Sequence, residues 1–280
     1  MRVSVVTDST AHLPEGFSAR HSVRVVPLHV VMDDETGLDG VDIGPTQLAA
    51  ALSQRRVVTT SRPSPQEFAE VFEAELAAGA SDVVSVHLSR HLSGTWDSAR
   101  LAAEEIGAGR VRVVDSRTTG MGLGFAALRA AAAASEGAAA VDVEAEAVRV
   151  AAYTKTFFMV ETLEYLRRGG RIGAAAALVG TALSVKPVLH VADGRIVPLE
   201  KVRTASRALA RLVDLGVAAA GDGRVEVAVH HLAASERAAE LAARLEERLP
   251  LSTGCVVSEL GAVIGAHTGP GVLGVVVLPG

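Results

Sequence analysis

Hydroxyl side chains crowd two loops of similar design in this chain. In VVTTSRPSPQEF, residues 57–68, Thr60 and Ser61 precede a capping box with Ser64 as N-cap, Pro65 as first helical residue and Glu67 as reciprocal partner. In VVSVHLSRHLSGTWDSARLAAEEI, residues 83–106, Ser89, Ser93, Gly94 and Thr95 lead into a helix whose apolar face carries Trp96, Ala99, Ala103 and Ile106. A helix amino terminus presents unpaired N–H groups and a partial positive charge, so hydroxyls just upstream suit an anion. The same hydroxyls equally suit the plain task of satisfying turn backbone. VVTDST and VVDSRTTGMG bring Asp8, Ser9 and Thr10, and Asp115, Ser116 and Thr118, to comparable positions. Their carboxylates would repel an anion, so they are expected to brace the loops through hydrogen bonds.

Candidate cations lie in the carboxyl-terminal half. His267 sits in GAVIGAHTGPGVLGVVV among Gly265, Gly269, Pro270 and Gly271, and reads as a loop histidine ahead of the last strand. As an imidazolium it would gain from a carboxylate and donate to it. TLEYLRRGGRIG reads as a helix with Leu163 and Leu166 on one face, stopped by Gly169-Gly170, with Arg167, Arg168 and Arg171 around its end. Those arginines either complement the helix dipole or form a docking patch. Cys255, the only cysteine, excludes an intramolecular disulfide and reads as a buried structural thiol in TGCVVSEL.

The elements that position these groups follow two periods. The β-branched runs RVSVVTD, VRVVPLHVV, SDVVSVHLS and RVRVVDS alternate with helical spacing, which predicts an α/β domain with a mainly parallel sheet. In such a sheet the strand-to-helix loops emerge at the carboxyl edge, where open α/β folds bind ligands. The Ala-rich stretch from about residue 126 to 150 reads as two helices broken at Ser135 to Gly137. After Tyr153 the pattern changes: SVKPVLHVADGRIVPLEKVRT has two strand-like runs around Asp193-Gly194, a hairpin signal that points to a mixed sheet. Two α/β domains are therefore expected, 1–152 and 153–280. Almost half of the 280 residues are hydrophobic, enough for large cores. The formal net charge of -5, with 24 Arg and 3 Lys scattered among 32 acids, gives no basic patch and no reason to expect nucleic acid. No apolar run is long enough for a membrane span or a signal peptide, and a cytoplasmic address is expected.

VVTDST, TTSRPSP, LSGT followed by an aromatic, TLEYLRRGGRI, VKPVL and HTGPG occur in the order and spacing of the DegV family of bacterial fatty-acid-binding proteins, which the chain resembles over essentially its whole length. The resemblance implies two α/β domains holding one long-chain fatty acid in a tunnel between them. Carried over, Thr60, Ser61, Ser93, Thr95 and His267 become the carboxylate site, with no cofactor or metal. It also implies presentation of the acid to a fatty acid kinase that makes acyl phosphate for phospholipid synthesis, with Arg171 and Arg203 at docking positions. Two residues depart from the pattern: Arg62 stands where many relatives carry glutamine, and Trp96 replaces the more usual tyrosine. Arg62 either adds a cation near the head group or faces a partner.

Affinity can come from the tail. Burying about 15 methylenes at roughly 0.8 kcal/mol each gives on the order of 12 kcal/mol before the costs of association. With nine aromatics in the chain, an apolar tunnel is expected to be walled by aliphatic side chains. The competing reading is a serine-dependent acyl hydrolase or transferase, with Ser93 or Ser61 as nucleophile and His267 as base. It lacks an orienting carboxylate beside His267 and a G-x-S-x-G elbow. A phosphate-binding module would need a P-loop, which is absent.

Overall fold

The structure, a computed structural model, describes residues 2–33, 35–107, 109–178 and 185–280. In chain order its strands are β1 Val3–Asp8, β2 Val23–Val26, β3 His29–Met32, β4 Glu35–Leu38, β5 Val58–Ser61, β6 Asp82–His87 and β7 Val111–Asp115. There follow β8 Lys155–Met159, β9 Lys186–Ala192, β10 Arg195–Val202, β11 Val225–His231, β12 Ser252–Glu259 and β13 Leu273–Pro279. Contacts divide the chain into two compact units, Met1–His29 with Ser61–Tyr153, and Val30–Thr60 with Thr154–Gly280.

The first unit is built on the parallel sheet β2-β1-β6-β7. Every residue of β1 is buried, as expected of a strand covered on both faces. The helix Pro65–Ala77 sets Phe68 and Phe72 against Val6, Val83 and Val111, while Thr95–Ile106 adds Ala99 and Ala102 to that core. The capping box is formed as the sequence predicts: the Ser64 hydroxyl accepts from Glu67 N, and Glu67 Oε2 accepts from Ser64 N at 2.8 Å. The Ala-rich stretch is indeed two helices, Met121–Ser135 and Ala140–Tyr153, the first starting before the low-complexity run.

The second unit carries the six-stranded sheet β10-β9-β8-β13-β11-β12, in which β11 and β12 are parallel and the other pairs antiparallel. The sheet is mixed, as the hairpin signal indicates. Asp193 and Gly194 both take left-handed conformations, φ 50° and 76°, as a two-residue hairpin turn requires. Ser184 of the expected first strand lies outside the described residues. Helices Ala205–Ala220 and Ser235–Arg248 cover one face, burying Leu209, Leu212, Leu241 and Leu245 against Val227, Val229, Val275 and Val277.

The expected division at residue 152 differs from these units in the segment Val30–Thr60. VRVVPLHVV, which reads as one strand, is two: Pro27 interrupts it, Leu28 N donates to Ser9 Oγ, and β3 leaves for a separate sheet β4-β3-β5. The segment belongs to the second unit because Asp39, 3% exposed, accepts from Ala262 N at 2.7 Å and from Val263 N at 3.4 Å. Composition alone carries no trace of such a contact across 223 positions.

Candidate functional site

Thr60 and Ser61 end β5 of the separate sheet β4-β3-β5, not a strand of the parallel sheet that their sequence pattern predicts. Three strands of the first unit's parallel sheet, β1, β6 and β7, carry the other hydroxyl loops at their ends, and the two aspartates brace these as expected. Asp8, fully buried, accepts from Thr10 N and Leu88 N, each at 3.0 Å, and Asp115 accepts from Arg117 N at 2.9 Å and Arg90 N at 3.3 Å. Asp8 also meets His87 Nδ1 at 3.0 Å, and His87 Nε2 meets Ser85 Oγ at 2.6 Å. This has the connectivity of a Ser-His-Asp triad, yet all three side chains are sealed at 0% exposure with Phe68 edge-on to the imidazole. It is a buried hydrogen-bond network that ties β1 to β6.

Ser93 and Thr95 are brought together, their hydroxyl oxygens 2.9 Å apart at the amino end of the helix Thr95–Ile106. Thr95 is buried, Ser93 half-buried and Ser61 exposed. Trp96 departs from its expected place in the apolar core. It is half-buried, with the guanidinium groups of Arg90 and Arg100 5.2 and 5.9 Å from its ring, while Ala99 and Ala102 are buried in the core and Ala103 and Ile106 pack partly buried against it.

Thr60 and His267 are brought together in the second unit, with Thr60 Oγ1 2.8 Å from His267 Nε2 although 207 positions separate them. His267 is not a loop residue: it lies in the last turn of the helix Ala262–Thr268, whose amino end Asp39 holds. The expectation of an imidazolium is also corrected. Burial first, and the positive charge of Arg171 second, push its pKa down to about 4, so the ring is neutral at physiological pH. Nε2 therefore shares a neutral hydrogen bond with Thr60, and Nδ1 is buried without a partner among the described residues. A hydrolase would need a carboxylate on that second nitrogen.

Gly169 explains the ring's position. A Cβ there would lie 1.9 Å from His267 Nδ1, so only a glycine admits the imidazole. Arg171 Nη1 donates to Gly169 O at 2.5 Å and fixes this backbone. The sequence marks Gly169 only as a helix stop, and this second duty has no local signal. Arg167 and Arg168 do not act on the helix dipole alone; both hydrogen-bond Glu164, whose pKa falls to about 2. Thr60, His267, Gly169, Arg171, Arg168 and Tyr165 line part of an open cleft of ≈ 810 Å³. Arg203 is exposed beyond β10. Cys255 is half-buried, with burial foremost raising its thiol pKa to about 12, which makes it a poor nucleophile. Among the described residues no His, Cys, Asp and Glu cluster could hold a metal, and no helix is long and apolar enough to cross a membrane.

A parallel-sheet unit and a mixed-sheet unit, each contributing hydroxyls, with an uncharged imidazole in the second, define a two-unit α/β protein with polar loops built for hydrogen bonding. The chain belongs to the DegV family, whose model, described as an uncharacterised protein family, matches residues 2–280. It is 54% identical over 275 residues to a DegV domain-containing protein of Streptomyces coelicolor, covering 98% of each chain. Its fold is similar to a DegV family protein of Thermus thermophilus described as binding fatty acid, with 39% identity and a TM-score of 0.94 over 100% of both chains. It is likewise similar to DegV of Bacillus subtilis, described as a fatty acid binding protein, with 34% identity and a TM-score of 0.92 over 100% of both.

Proposed function

We propose that the protein binds one long-chain fatty acid, holding the carboxylate with Thr60, Ser61, Ser93, Thr95 and His267 and the tail in an apolar tunnel, without chemistry of its own. The observation that carries this reading is the Thr60–His267 pair: a neutral imidazole bonded to a hydroxyl, with no carboxylate on its other nitrogen among the described residues, orients a ligand but does not activate a nucleophile. The fatty acid binding described for the Thermus and Bacillus relatives supports the ligand class. Native mass spectrometry of the protein purified from cells should show one co-purified acid of long chain. Ser93→Ala and His267→Ala should each weaken retention about tenfold, the loss of one hydrogen bond to a charged group. Unchanged affinity in both removes the head-group assignment, and turnover of an acyl ester lost in Ser93→Ala restores the hydrolase.

We further propose that the filled protein, in the cytoplasm, presents its carboxylate to a fatty acid kinase, with Arg171 and Arg203 at the docking face. Arg171 also supports Gly169, so Arg203 gives the cleaner test. Arg203→Glu should leave palmitate affinity unchanged while slowing acyl phosphate formation by a kinase about tenfold, as expected for a reversed charge at the rim of an interface. Equal loss of both activities overturns the docking role.

A further inference from the structure

Arg62 has an unusual position in the first unit. A Cβ on Gly94 would lie 2.0 Å from Arg62 Nη1, 2.9 Å from its Cδ and 3.0 Å from its Cζ, so the guanidinium lies across the backbone between Ser93 and Thr95. Arg62 is exposed, and among the described residues it makes no hydrogen bond or ion pair. The helix Thr95–Ile106 begins at the same place, and its N-cap, Gly94, offers no side chain to its N–H groups. A cation, two hydroxyls 2.9 Å apart and a helix amino terminus thus adjoin one another within a single unit.

We propose that Arg62 is a head-group residue whose guanidinium discriminates an ionised carboxylate from uncharged lipid heads over the Ser93-Gly94-Thr95 loop. This rests on the reading of the chain as a fatty-acid-binding protein. Hydroxyls alone recognise an alcohol nearly as well as a carboxylate, because they both donate and accept. A guanidinium only donates, carries a permanent charge and matches the two oxygens of a carboxylate in a fork. In the empty protein His267 does not supply that charge, its ring being neutral.

The test compares palmitate with hexadecanol, which has the same tail length and an uncharged head. Arg62→Gln should weaken palmitate about tenfold, the loss of one charge-assisted contact, and leave hexadecanol unchanged. Arg62→Lys should recover part of the loss. Gly94→Ala provides an independent route: its φ of -77° suits any residue, and the new methyl group meets the movable end of Arg62. It should therefore repeat the loss for palmitate, and the double variant should be no worse than either single one. Palmitate affinity unchanged in Arg62→Gln, or an equal loss for palmitate and hexadecanol, overturns the role of Arg62 while leaving the fatty-acid reading intact. Wild-type protein that binds neither lipid overturns both.

Discussion

Gly169→Ala should reduce fatty acid affinity about a hundredfold, equivalent to about 2.7 kcal/mol, although residue 169 itself offers the ligand no side chain. The new Cβ would stand 1.9 Å from His267 Nδ1 and 2.7 Å from Cε1, far inside any van der Waals contact. Something must move by more than an ångström. The Gly169 backbone is held by Arg171, and the helix bearing His267 is held by Asp39, so the imidazole is the group free to swing. It then leaves Thr60, and the polar end of the proposed site loses its arrangement. Overpacking of this kind costs about 1–3 kcal/mol of stability, which the fold can sustain. Gly170→Ala is the control. Its φ of +70° makes alanine strained by about 1–2 kcal/mol, but no atom lies within 4 Å of the added methyl. The two variants should lose similar stability in a urea titration while only Gly169→Ala loses palmitate. Equal palmitate binding in both would mean that the ring position is not what Gly169 is for.

Much of this architecture is written in local pattern. The capping box at Ser64, the hairpin at Asp193-Gly194 and the broken Ala-rich stretch depend on residues within a few positions of one another, and each forms where its pattern lies. The parallel sheet of the first unit is legible for a similar reason, since its strands are short β-branched runs that alternate with helical spacing, the central two, β1 and β6, being buried on both faces. What the sequence hides is long range. Nothing near Asp39 announces that it holds the amino end of a helix 223 positions away, and so the segment Val30–Thr60 reads as part of the first domain. His267 reads as a loop cation because Gly269, Pro270 and Gly271 follow it. Its helix is short, and its charge state depends on burial and on Arg171, neither of which a spacing rule contains. Arg62 is a visible departure in the sequence, but its place over Gly94 depends on a contact across 32 positions that no local pattern contains.

Acidification should cost the empty protein about 3 kcal/mol at His267 alone between pH 7 and pH 4. The unfolded imidazole takes up its proton near its ordinary value of 6.5, whereas the folded one waits until about 4. In that interval the unfolded state binds more protons, so stability rises with pH: the contribution is complete above pH 6.5 and is lost as pH falls through 4. His190 and His231 are lowered by burial and act in the same direction, so the slope of the wild type alone is ambiguous. Comparison with His267→Gln isolates the term, because the other histidines cancel in the difference. The gap in unfolding free energy between the two proteins should change by about 3 kcal/mol from pH 7 to pH 4, in favour of the variant at acid pH. Parallel stability curves would show that the ring is not held neutral by its surroundings. A bound carboxylate adds a negative charge where Arg171 now supplies only a positive one, which favours the imidazolium and raises the folded pKa. Palmitate should therefore flatten the acid slope of the wild type and leave that of His267→Gln unaltered, a difference that arises only if head group and imidazole are neighbours.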